Sequence, residues 1–159
     1  MARTIATNTQ VSLEELLEFV RPRHRMLIAT ARGDGRPQIS PVTGGVDEQG
    51  RIVTSTYPGR AKTRNAERNP QVSVVVLSDE WNGAWVQVDG EAEVIHMPEA
   101  ADALVDYFRC TSGEHPDWEE YKQAMRLQNK SLLRITPIRW GPIATGGFPA
   151  DVAARLDAS

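Results

Sequence analysis

The segment Tyr57-Pro58-Gly59-Arg60-Ala61-Lys62-Thr63-Arg64-Asn65-Ala66-Glu67-Arg68-Asn69-Pro70 concentrates basic side chains in a chain whose formal net charge is −3. Pro-Gly makes a turn, and a helix is expected to begin near Arg60 and to end before Asn69-Pro70. The amides of a first helical turn have no acceptors within the helix. Those amides, the positive end of the helix dipole, the Arg60 guanidinium, the Lys62 ammonium and the Thr63 hydroxyl can converge on a phosphate. Arg64 and Arg68 follow one and two turns beyond Arg60, which predicts a basic stripe along one helix face. Local composition leaves a second reading open, a solvated surface helix with scattered charges. The segment directly follows a strand pattern, and a helix start at the C-terminal end of a strand favours the anion site.

Other chemistries find less support. His24, His96 and His115 lack paired or i,i+4 spacing and no HExxH pattern occurs, so no metal site is expected. His115, just before Pro116, reads as part of a helix start rather than as a catalytic group. Cys110 is the single cysteine, which excludes an intrachain disulfide and a cysteine metal cluster and fits a reducing compartment. Nucleophile elbows and P-loops are absent. Asp89 and Glu91 share one face of a strand, as a solvated edge would have them. Trp81, Trp85, Trp118 and Trp140 read first as core or interface anchors. No residue is assigned a catalytic role.

The elements that must position the basic segment are mostly strands. A chain of 159 residues suits one domain with its own core. Residues 1–11 are polar and unpatterned and are expected to form a flexible N-terminal arm, with a single domain over 12–159. Ser12 is a plausible N-cap for a short amphipathic helix carrying Leu13, Leu16, Leu17 and Val20, closed by Pro22. Strand patterns follow at 26–31, 38–46, 51–56, 72–77, 85–95 and 131–138, with Pro41 expected to mark a bulge or an edge. Helices are expected after Pro98, with Ala101, Leu104, Val105 and Phe108 on one face, after Pro116, and over 151–156. Strands mostly adjacent in sequence predict a mainly β fold, a small split or Greek-key barrel of about six antiparallel strands with peripheral helices.

Arg60-Ala61-Lys62-Thr63-Arg64-Asn65, followed by Asn69-Pro70, resembles the phosphate-binding segment of the pyridoxamine 5′-phosphate oxidase-like split barrels. The similarity is closest to the actinobacterial F420-dependent flavin/deazaflavin oxidoreductases. It extends upstream to Leu27-Ile28-Ala29-Thr30 and Gly35-Arg36-Pro37-Gln38-Ile39-Ser40-Pro41-Val42. Downstream it takes in Gly113-Glu114-His115-Pro116-Asp117-Trp118 with Tyr121 and Met125. The resemblance implies an FMN-binding split-barrel fold. It implies that Arg60, Lys62 and Thr63, with the Ala61 amide, bind the cofactor phosphate or the carboxylate tail beside it. Ser40, Val42, Thr43 and Ser55 would line the ring, and the stretch from Trp81 to Trp85 would reach the partner's cofactor across a homodimer interface. Pro41 stands where relatives carry a side-chain amide.

Three functions compete at this stage. The first is an F420H2-dependent reductase passing a hydride to an electron-poor small molecule such as an activated alkene, an enone or a quinone-like ring. FMN-dependent chemistry on the same fold is the second, and a non-catalytic F420 carrier the third. Arg64 and Arg68 favour F420, whose polyglutamate tail they can attract. The acidic balance and the lack of aromatics interleaved with the stripe argue against nucleic acid. The N-terminus lacks a signal-peptide core and no stretch is apolar enough to span a membrane, so the expected location is the cytoplasm.

Overall fold

Ser12 starts the first helix through a reciprocal capping box. Its hydroxyl accepts from the Glu15 amide at 3.2 Å, and the Glu15 carboxylate accepts from the Ser12 amide at 3.0 Å. The computed structural model describes residues 3–159. In chain order the elements are β1 (Thr7–Thr9), α1 (Leu13–Val20), β2 (Arg25–Ala31), β3 (Pro37–Val46), β4 (Ile52–Thr56), α2 (Ala61–Arg68) and β5 (Gln71–Val76). They continue with β6 (Val86–Ile95), α3 (Ala100–Ser112), α4 (Trp118–Gln128), β7 (Ser131–Trp140), β8 (Ile143–Thr145) and α5 (Ala150–Asp157). No helix among the described residues is long and apolar enough to cross a membrane.

Alternating apolar residues close the sheet on itself. Strands β2-β3-β4-β7-β6-β5 form a closed, wholly antiparallel barrel. Met26, Ile28, Val74, Val88, Leu133 and Ile135 fill its interior, together with Leu16 and Val20 from α1. A second core lies outside the wall, where Val53 and Leu132 pack against Ala100, Leu104 and Val105 of α3 and Tyr121 of α4. Gly45 permits that packing, because a Cβ there would stand 2.6 Å from the Cys110 sulfur of α3. Near Asp89 and Gly90 the β6–β7 register shifts. A Cβ on Gly90 would lie 2.6 Å from the Thr136 carbonyl oxygen, so the close approach requires glycine.

Pro41 sits opposite Leu27 without a bulge. Strand β4 pairs only with Gly44, Gly45 and Val46 of β3, so the missing N–H of Pro41 falls on the open edge that the proline predicts. Of the segment expected as a flexible arm, residues 1 and 2 lie outside the described residues, and the remainder is tied down by backbone hydrogen bonds. Thr7–Thr9 pairs with Ile143–Thr145 as a small two-stranded sheet, and the Ala6 amide donates to the Phe148 carbonyl at 2.9 Å. Both strands are only three residues long and polar or weakly apolar, too short for a periodic signal.

Leu133 is fully buried, between β4 and β6 in the wall and facing the inner core. Leu133→Ala is expected to cost about 2–5 kcal/mol in a denaturant titration, the range for opening a cavity in a packed core. Leu127→Ala, on α4 and 82% exposed, should fall within about 0.5 kcal/mol of wild type.

Candidate functional site

The turn after β4 brings the chain straight into α2. The Arg60 amide donates to the Tyr57 carbonyl at 3.1 Å, and Arg60 then stands as an extended N-cap with no side-chain hydrogen bond to the helix. The Thr63 and Arg64 amides both reach the Arg60 carbonyl, leaving the Ala61 and Lys62 amides without a backbone acceptor. The inner face of the helix is pinned to the barrel. Thr63 is fully buried, its hydroxyl donating to the Tyr57 carbonyl at 2.8 Å and lying 2.9 Å from the Thr56 hydroxyl. Asn65 donates to the Thr30 hydroxyl at 3.1 Å, and Arg68 donates to the Ala31 carbonyl at 3.0 Å and to Asn65 Oδ1 at 2.8 Å.

A pocket of about 220 Å³ opens at the start of α2, lined by Ser55, Thr56, Tyr57, Arg60, Lys62 and Lys130. Lys130 comes from the far end of the sequence, where Asn129 takes a left-handed conformation at φ 51° to cap α4 and turn the chain into β7. The Tyr57 ring lies among these cations, with the Arg60 guanidinium carbon 5.7 Å and the Lys130 Nζ 5.4 Å from its centre. Among the described residues no carboxylate lies within 4 Å of Arg60, Lys62 or Lys130. Burial first, and then the neighbouring Arg60 charge, hold the Lys62 ammonium below its ordinary pKa. Positive charge, free amides and no counter-ion fit a bound phosphate.

The barrel register sorts the remaining predicted residues by face. Directly opposed residues of an antiparallel pair share a face, so Val42 beside Met26 and Ser40 beside Ile28 turn inward. Val42 packs on the inner core, and the Ser40 hydroxyl is buried without a protein partner. Thr43 and Ser55 point outward on the same side of the Gly44–Thr54 pair, at the end where β3 and β4 part. Tyr107 and Thr54 fix that end of β3, donating to the Thr43 carbonyl at 2.9 and 2.8 Å.

Ser55, Arg60 and Lys62 therefore meet in one pocket, with the Ala61 amide at its helix start. Four expectations change, that for Ser40 among them, since its hydroxyl is buried on the inward face of β3 and does not line this pocket. The Thr63 hydroxyl is turned inward and engaged by Thr56 and Tyr57, so it tethers the helix instead of facing the pocket. Arg68 is held by Asn65 and Ala31, which cuts short the basic stripe after Arg64. The Val42 side chain belongs to the inner core. Trp85 lies elsewhere, 41% exposed and bridged to Ala144, against a groove shared with Gln87, Asp89, Arg139 and Trp140. Sequence reasoning missed Tyr57 and Lys130 as pocket residues. The β4–β7 pair Thr56↔Ser131 puts Lys130 there, a contact no local pattern encodes.

No group of three or more metal-ligating side chains occurs among the described residues. Burial, with Asp47 and Asp106 nearby, pushes the Cys110 thiol up to about 11, which keeps it protonated and unreactive at neutral pH. His115 packs edge-on to Phe108, 5.3 Å between ring centres, and its Nδ1 accepts from the Asp117 amide at 3.0 Å, as a structural part of the α4 start.

The comparisons agree with this architecture. A structure described as the conserved hypothetical protein Rv2991 from Mycobacterium tuberculosis superposes with a TM-score of 0.70 at 24% identity, covering 88% of this chain and 89% of that one. A protein described as an F420 reductase superposes with a TM-score of 0.57 at 23% identity, over 83% of this chain and 98% of that one. In sequence, the heme oxygenase HutZ of Vibrio cholerae serotype O1 is 35% identical over 66 residues, which span 42% of this chain and only 37% of HutZ. The profile of the pyridoxamine 5′-phosphate oxidase family matches residues 12–144, the whole barrel together with α1 to α4. The chain belongs to the pyridoxamine 5′-phosphate oxidase family.

Proposed function

We propose that this protein is an F420H2-dependent reductase that passes a hydride to an electron-poor small molecule, such as an activated alkene, an enone or a quinone-like ring. The observation that carries the reading is the pocket at the start of α2, where Arg60, Lys62 and Lys130 face no carboxylate. The F420 reductase of the same fold supports it. A reduced deazaflavin, when bound, supplies the hydride itself. The chain's own tasks are then to hold and to orient. Arg60 and Lys62, with the Ala61 and Lys62 amides, hold the phosphate through charge-assisted hydrogen bonds. Thr43 and Ser55, facing outward from β3 and β4 next to this pocket, flank the ring. The hydride acceptor takes its proton from water.

The proposal includes a homodimer. Ile39 is 56% and Ile138 63% exposed on the outer wall. Leu27, Pro41 and Val75 stand side by side across β3, β2 and β5 on the same outward face. A second copy covers this apolar face and carries its own Trp85 toward the cofactor. An FMN-dependent oxidoreductase is the second reading. The engagement of Arg68 favours it, because that contact removes one of the two cations suited to a polyglutamate tail.

Titration of the purified protein with F420 and with FMN separates the two readings: tighter F420 binding is expected, and binding of FMN alone would sink the first. Lys62→Ala should weaken cofactor binding by about 1.5–3 kcal/mol, the loss of one hydrogen bond to a charged group; unchanged affinity would move the anchor elsewhere. A second outcome concerns the ligand-free protein. With its native pKa lowered, Lys62 releases its proton in the folded state before the unfolded one. Native stability should therefore rise as pH climbs from that lowered value toward the ordinary lysine range near ~10.4. Lys62→Gln is expected to raise the melting temperature below that window and to flatten the rise within it, as read by thermal unfolding across pH.

A further inference from the structure

His96 lies just after β6, outside the cation pocket, and joins two elements that build it. Its Nδ1 is 2.6 Å from the Ser131 hydroxyl and its Nε2 is 3.0 Å from Glu67 Oε1. The Glu67 carboxylate only accepts, so Nε2 carries a proton; in the neutral ring Nδ1 then accepts from the Ser131 hydroxyl. Ser131 is fully buried and follows Lys130 directly. Glu67 belongs to α2, one turn after Thr63.

These contacts close a circuit that joins α2, the end of β6 and the start of β7. From Glu67 the chain of bonds runs to His96, then to Ser131, which pairs with Thr56 across β4–β7. The Thr56 hydroxyl returns to Thr63 of α2 at 2.9 Å. Arg60 and Lys62 ride on the helix in this circuit, and Lys130 rides on the strand start. We infer that His96 is a positioning residue for the anion pocket, holding Lys130 at the start of α2 by accepting from Ser131 through Nδ1, while Glu67 fixes the Nε2–H tautomer that leaves Nδ1 an acceptor. This rests on the reading of the pocket as the cofactor's phosphate anchor. Without the imidazole the Ser131 hydroxyl loses its acceptor inside the protein, and the first residues of β7 lose the tie that fixes Lys130 beside Tyr57.

The test is a double-mutant cycle on binding of F420, FMN and inorganic phosphate, with circular dichroism and thermal unfolding run beside it. His96→Asn keeps an acceptor near the Nδ1 position for Ser131, whereas His96→Gln keeps a donor near the Nε2 position for Glu67. Expected are near wild-type affinity for His96→Asn and a loss of about fivefold for His96→Ala and His96→Gln. In the Lys130→Ala background these losses should vanish, because His96 acts through Lys130. Losses that add in that background, equal behaviour of the Asn and Gln variants, or unchanged affinity in His96→Ala and His96→Gln would overturn the inference and leave the pocket reading standing. A wild-type protein that binds neither cofactor nor phosphate would overturn the pocket reading, and the role of His96 with it.

Discussion

Like charges repel, and a folded chain ordinarily answers a buried or half-buried cation with a carboxylate. At the start of α2 this protein gathers Arg60, Lys62 and Lys130 around Tyr57 and answers none of them within the described residues. Holding them together requires rigid supports. Thr63, Asn65 and Arg68 tie the inner face of α2 to β4 and β2 with side-chain hydrogen bonds. The left-handed Asn129 cap and the buried Ser131 set Lys130 at the head of β7. The barrel closes β4 onto β7 and so brings the two supports to one place.

This arrangement explains which parts were legible in the sequence. The strand runs at 72–77 and 131–138 and the N-cap at Ser12 are local patterns, and each element lies within a residue or two of its expected bounds. The α2 segment was legible for the same reason, since Pro-Gly and Asn-Pro bracket it. The faces were harder. Thr63 and Arg68 look like pocket cations and donors in a linear reading, yet the docking of α2 on Thr56, Thr30 and Ala31 turns both toward the barrel. Lys130 gave no local signal at all, because its place depends on pairing between strands far apart in sequence. Strands β1 and β8 were missed because each is too short for periodicity to register.

On the proposed reading, the task of this pocket is to bind and to orient. No metal-ligating group is assembled among the described residues, and the one cysteine is held protonated by burial. Its polar side chains near the pocket are hydroxyls and cations, which suit an anion and a ring edge better than proton transfer. Such a division fits a family fold in which a bound organic group does the difficult chemistry and the protein supplies electrostatics.

On the proposed reading, the cluster at α2 is electrostatically incomplete until an anion enters it. Thermal unfolding of the wild-type protein in sodium phosphate and in sodium chloride at equal ionic strength tests this directly, since a ligand that binds only the native state raises its stability with concentration. A melting temperature that climbs with phosphate but not with chloride, and that no longer does so in Lys62→Ala, is the predicted result. Equal melting temperatures in the two salts would contradict the account.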